Sequence, residues 1–227
     1  MHTQTRTASL NRMLSAYIAP KKGVIIMPNG FSAREVAELA NVPVRAVDKA
    51  IEEKVLAGVR VGSRGRRRML PLHAVPYTAI VARLPVTLSL AAKRDLARAL
   101  GRRSADGMTA EPLEIAPAVM VDVPALVGPD LAGRAARYGK AREDHIVIDP
   151  EVMGGTPILR GTRMTVYSVL GRLNGGDSID DIIDDNPHLT REAVETAALY
   201  ARTHPIVGRP GGRPWTKAPT RPSREAA

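Results

Sequence analysis

The sequence predicts a mainly helical α+β fold, on three observations. Residues Phe31–Leu56 hold two amphipathic segments with helix-capping residues and a short turn between them. Residues Val59–Leu70 alternate apolar and polar around a Gly-Ser-Arg-Gly turn, as a hairpin does. Residues 145–203 carry a second hairpin pattern and three more capped helical segments. Composition sets the material for the core. The chain of 227 residues is 44% hydrophobic but only 3% aromatic, so the core must be built from Val, Leu, Ile, Ala and Met. There is no cysteine, which excludes disulfides, cysteine-zinc sites and thiol catalysis. The five histidines are scattered, without metal-ligand spacing. No apolar run approaches the ~20 residues needed to span a bilayer. The first twenty residues lack a long apolar stretch, so no signal peptide is expected. The expectation is a cytoplasmic protein without membrane contact.

Charge divides the chain. The net charge is +10, with +10 carried by residues 1–139, −4 by 140–205 and +4 by 206–227. A basic front suggests a polyanionic partner, nucleic acid first, although a soluble surface of high isoelectric point gives the same balance.

In the front segment, Ser32 and Glu35 have the spacing of a capping box. Val36, Leu39 and Ala40 form one apolar face. Asn41 ends the helix because it tolerates the left-handed conformation. Pro43 sits where the second helix starts. Val47, Ala50, Ile51 and Val55 give that helix its own face, and Ala37 is small where the two should cross. This is helix-turn-helix spacing. The following hairpin places Arg64 near its tip and Arg66, Arg67 and Arg68 on its return strand. Arg66 and Arg68 share one face and Arg67 takes the other. Such arginines neutralise phosphates and position a module without reading bases; the plain alternative is a solvated loop. Base reading falls to the exposed start of the second helix, at Val44, Arg45, Asp48 and Lys49. Residues 28–82 together resemble a winged helix-turn-helix, the broad class that includes MerR-like regulators.

Residues 83–140 read as a small α/β connector or dimerisation element: a short strand entering a helix with Leu90, Leu96 and Leu100, a loop, a Val-rich extended segment, then a loop and a helix. No catalytic constellation is present.

The segment Asp149–Val166, "DPEVMGGTPILRGTRMTV", poses a choice between a phosphate cradle and a tight hairpin. Gly155 and Gly161 are followed by Thr162 and Arg163, so the phosphate-binding lysine of a P-loop is missing, and GxGxxG is absent. The hairpin reading gains. His145–Pro150 alternates as a strand, Gly154-Gly155 turns the chain at little steric cost, and Thr156–Arg160 pairs with Thr162–Thr165 across Gly161. Arg160 and Arg163 are expected to anchor this hairpin to nearby carboxylates. Thr165 caps a helix that stops at Asn174-Gly175-Gly176. Ser178 caps a second helix ending at Asn186-Pro187. Thr190 caps a third, with Ala193, Ala197, Leu199 and Tyr200 among its packing residues.

Residues 145–203 closely resemble the family called domain of unknown function 433. The marks are Asp149-Pro150, Gly154-Gly155, Pro157, Gly161-Thr162-Arg163, Val166, Gly175, the turn from Asn186-Pro187 to Leu189-Thr190, and Ala197–Tyr200. The chain departs at Met164-Thr165, where the family often has Ile-Pro. The resemblance implies a helix-turn-helix-like unit and a VapB-like antitoxin of a type II toxin–antitoxin pair, beside a toxin with a PIN-like nuclease fold. The residues qualify this. Asp180, Asp181, Asp184, Asp185, Glu192 and Glu195 would repel phosphates, so this unit is expected to pair proteins while the front binds DNA. The paired aspartates are read as solvent-facing rather than as metal ligands.

The tail is rich in Pro, Gly and Arg and cannot form a core. It is either a disordered end or a toxin-binding segment, in which Trp215 is an aromatic anchor among Arg209, Arg213 and Lys217 and an arginine enters the acidic nuclease pocket. The organisation read from sequence is therefore 1–82 for DNA binding, 83–140 as connector, 141–205 as the antitoxin-type unit and 206–227 as a basic tail. The expected function is a homodimeric antitoxin that neutralises a PIN-like ribonuclease and represses its own operon by binding operator double-stranded DNA. The rival is a stand-alone dimeric transcriptional regulator. No cofactor, metal or enzymatic activity is expected.

Overall fold

The computed structural model describes residues 30–61, 67–116 and 119–206. The fold is a mainly helical α+β arrangement in which three two-stranded antiparallel sheets punctuate the described helices.

Local chemistry sets the first elements. In α1 (Ala33–Ala40) the Ser32 hydroxyl accepts from the Glu35 amide at 3.2 Å, and the Glu35 carboxylate accepts from the Ser32 amide at 2.7 Å. Asn41 ends α1 in the left-handed region, at φ 52°, as expected of a residue that tolerates it. Helix α2 spans Val44–Glu52, with Pro43 just outside it as the cap rather than as its first helical residue. Val36, Ala37, Ala40, Val47 and Ala50 are buried where α1 and α2 cross. Strands β1 (Val59–Val61) and β2 (Arg67–Met69) pair with Val59 opposite Met69 and Arg60 opposite Arg68. Phe31 then bridges Leu70 through two backbone hydrogen bonds of 2.7 and 2.8 Å, tying the start of α1 to the end of β2.

Helix α3 (Ala74–Arg83) has no counterpart in the sequence reading. Residues 74–80 are all buried, so it lacks the polar face that gives a surface helix its period. Pro76 lies in its first turn, where the ring displaces no intrahelical donor. The short strand expected before the next helix is absent: Leu84 caps α3, and residues 85–89 form no strand before α4 (Leu90–Gly101). Leu96 and Leu100 are fully buried, whereas Leu90 is exposed. The Val-rich extended segment folds back on itself as β3 (Leu113–Ala116) and β4 (Val119–Val121). Helices α5 (Val123–Val127) and α6 (Leu131–His145) follow. One apolar cluster runs from Phe31 to Tyr138, so residues 83–138 share a core with the two front helices.

The C-terminal unit has its own cluster, from Ile146 to Ala201. Strand β5 (Ile146–Val147) pairs with β6 (Ile158–Leu159), and Gly154 and Gly155 turn the chain between them at positive φ. Past β6, the Leu159 amide donates to Met164 O at 2.9 Å and the Val166 amide to Pro157 O at 3.0 Å, closing the turn at Gly161. Thr165, Ser178 and Thr190 cap α7 (Val166–Asn174), α8 (Ile179–Asp185) and α9 (Arg191–Thr203). Val166, Val169, Ile182, Val194 and Ala197 are fully buried between them. Helix α9 packs on α7 and also on α6 and α1, so the C-terminal unit rests against the front. Among the described residues no helix is long and apolar enough to cross a membrane.

Candidate nucleic-acid interface

Helix α2 sorts its residues by face. Val47 and Ala50 enter the core, and Val44, Arg45, Asp48 and Lys49 are exposed on the opposite side. Glu52 is exposed as well, so the outward face carries two bases and two acids. Arg68 is exposed on β2, and its stem lies across Gly58: a Cβ there would stand 2.4 Å from Arg68 Cγ. Of the other arginines expected on this hairpin, Arg67 forms part of β2, while Arg64 and Arg66 lie outside the described residues. So do Arg209, Arg213, Trp215 and Lys217. The structure thus brings together the four α2 residues on one exposed face and places Arg68 on the neighbouring strand pair.

Where the start of α1 meets α6 lies a polar cluster that the sequence reading did not find. Glu35, the capping residue of α1, is completely buried. Its Oε1 accepts from Arg142 Nη1 at 2.8 Å and from the Tyr138 hydroxyl at 2.9 Å. Arg142 also donates to Gly30 O at 2.9 Å, and its guanidinium stands 5.7 Å from the centre of the Phe31 ring. Burial pushes the Glu35 carboxyl up. Arg142, His204 and the Ser32 amide together outweigh it and hold the carboxyl below its ordinary value. Burial and the same carboxylate push the Tyr138 hydroxyl up, so it remains a donor. A signal existed in the sequence. Leu131, Ala135, Tyr138 and Arg142 follow one another at spacings of four, three and four, so an arginine ends the apolar stripe of α6.

The junction into the C-terminal unit differs from the expectation for Arg160. Its guanidinium bonds to backbone carbonyls, not carboxylates: Nε to Asp144 O at 2.7 Å and Nη2 to Glu143 O at 2.9 Å. The physical reason is that the last carbonyls of α6 have no intrahelical donor and sit at the negative end of its dipole. Arg163 is exposed and has no ion partner among the described residues.

The acidic surface of this unit is partly neutralised from within. Asp181 closes a capping box with Ser178, whose hydroxyl and amide hold that carboxyl below its ordinary value. Arg172 bridges Asp177 at 2.5 Å and Asp185 at 2.6 Å, which answers the unfavourable place of Asp185 at the end of α8. Arg191 pairs with Asp180, and His145 stands 3.3 Å from Glu192. Asp184 and Glu195 remain exposed without an ion partner among the described residues. Among those residues no three acidic or histidine side chains are grouped to hold a metal ion.

The family model described as "Protein of unknown function (DUF433)" matches residues 146–201, which constitute a DUF433 domain. The uncharacterized protein y4eO of Sinorhizobium fredii (strain NBRC 101917 / NGR234) is 35% identical over 69 residues, 30% of this chain. The match spans only 31% of that relative's own length. The X-ray crystal structure of Rv2018 from Mycobacterium tuberculosis aligns over 76% of this chain and 98% of that one, at 15% identity. Its TM-score is 0.31.

Proposed function

We propose that this protein is a DNA-binding antitoxin. In this reading α1, α2 and the β1–β2 pair form a winged helix-turn-helix that binds operator DNA as a homodimer and represses its own operon. The DUF433 domain and the basic tail engage a PIN-like ribonuclease. The observation that carries the DNA-binding half is the sorting of α2, whose inner face is buried while Val44, Arg45, Asp48 and Lys49 stay exposed. A helix held by its neighbour and presented this way suits the major groove. Its mixed charge leaves much of the phosphate binding to the strand pair, where Arg60, Arg67 and Arg68 lie. The antitoxin half rests on the family resemblance, and on acids at the surface of the DUF433 domain that suit a protein partner better than a phosphate backbone.

Two measurements test the halves separately. Operator binding should be salt-steep, with log-affinity falling by about 0.9 per phosphate contact per log unit of salt. Replacing Arg45, Lys49 and Arg68 with Ala should flatten that slope, and an unchanged slope removes these residues from the interface. Inducing the small reading frame beside the gene should arrest growth, and this protein should rescue it and co-purify with the product. No arrest and no complex favour a stand-alone dimeric regulator.

A further inference from the structure

A cleft of about 620 Å³ opens where α1, α3, α6 and α9 meet. Leu39, Leu131 and Leu199 contribute apolar surface to it, and Glu38, Glu192 and Glu195 line its acidic side. We infer that residues 207–227 of the same chain dock in this cleft, with Trp215 seated on the apolar surface.

The chain leaves α9 beside the cleft. Helix α9 ends at Thr203, and in its last turn Arg202 Nε donates to Glu38 Oε1 at 3.0 Å. Glu38 lines the cleft, so the tail departs close to the cleft's rim. Reach is ample. The nine residues from Ile206 to Trp215 span up to about 30 Å when extended. The stretch of α9 along the cleft, from Leu199 back to Glu192, is about 10 Å long.

One carboxylate in a cleft lined by three glutamates and three arginines is open to a basic occupant. Residues 206–227 carry five basic side chains and one acidic. Glu195 lines the cleft exposed and without an ion partner among the described residues. Two of the cleft's arginines are already engaged: Arg83 donates to Ala40 O at 3.2 Å, and Arg137 is held by Asp130 at 2.6 Å. Arg134 on α6 and Arg83 on α3 keep charges that oppose the tail, because a backbone carbonyl does not neutralise a guanidinium. The apolar surface supplies an anchor site. Leu39 and Leu199 are only partly buried, and an indole laid on them would shed solvent from a ring that buries roughly 150–250 Å² when enclosed. The docking does not depend on the antitoxin reading. Where that reading holds, the nuclease competes with the cleft for one segment.

The chain has a single tryptophan, so its fluorescence reports this contact directly. In the full-length protein the emission should be blue-shifted, and acrylamide quenching should be several-fold weaker than for N-acetyl-tryptophanamide. Glu195→Arg changes an exposed residue and should move both readings toward the free indole without altering the melting temperature. Quenching of the wild type equal to the free indole overturns the proposal. So does a protected signal that Glu195→Arg leaves unchanged. A second measurement uses the absence of cysteine. Glu195→Cys combined with Pro214→Cys should give an intrachain cross-link with a short bis-maleimide. An interchain product assigns the cleft to a second copy's tail, and the absence of any product removes the tail from the cleft; either overturns docking within one chain.

Discussion

Glu35→Gln keeps the shape of the buried side chain and removes its charge. Glu35 is 0% exposed and Arg142 2%, so the substitution sets a neutral amide against a buried guanidinium. Breaking such a pair from one side costs about 3–5 kcal/mol. For a cooperative unit of this size, each kcal/mol shifts the melting temperature by about 2–4 °C, so the fall should be about 6–20 °C. Thermal melts followed by circular dichroism would measure it. Glu35→Gln/Arg142→Met removes both charges and should recover part of the loss. Recovery stays incomplete because Arg142 also serves Gly30 O and the Phe31 ring. The pH dependence has a definite sign. The Glu35 carboxyl is held below its ordinary value of 4.5, so its contribution is complete above that pH and is lost as pH falls through the folded-state value. Glu35→Gln should abolish this acid-side loss. A Glu35→Gln protein melting within about 2 °C of wild type would refute the assignment, since even the low end of the range predicts more.

Three further outcomes follow from local geometry. Asn41→Ala puts a non-glycine side chain lacking Asn's local hydrogen bonding at φ 52° and should cost about 1 kcal/mol, whereas Asn41→Gly should be near neutral; urea denaturation separates the two. Ser178→Ala removes the hydroxyl that accepts from the Asp181 amide at 3.1 Å and should cost about 1 kcal/mol by the same assay. Arg160→Met loses both bonds to the end of α6 and should cost about 1 kcal/mol, with Arg160→Lys regaining part of it. Amide exchange should then quicken at the β5–β6 pair before it does in α9.

Helix starts and stops were legible because their chemistry is local. Ser32, Thr165, Ser178 and Thr190 each meet an amide three residues on, and Asn41 ends α1 by its own backbone tolerance. The face of α2 was legible for a related reason, since a helix of known phase sorts its own residues. Helix α3 was not, because burial on every side removes the polar–apolar period. The return of the extended segment as β3 and β4 was missed as well. Arg160 illustrates a further limit: sequence offered carboxylates as its partners, and the fold supplied the open carbonyls of a helix end. Glu35 shows both levels at once. Its cap to Ser32 spans three residues, and its pair with Arg142 spans 107. By itself the sequence determined the caps, the turns and the apolar faces, because those interactions act between near neighbours on the chain. Which polar groups meet in the interior was decided only in the tertiary structure, because desolvation of a charge is offset by whichever partner packing brings within reach.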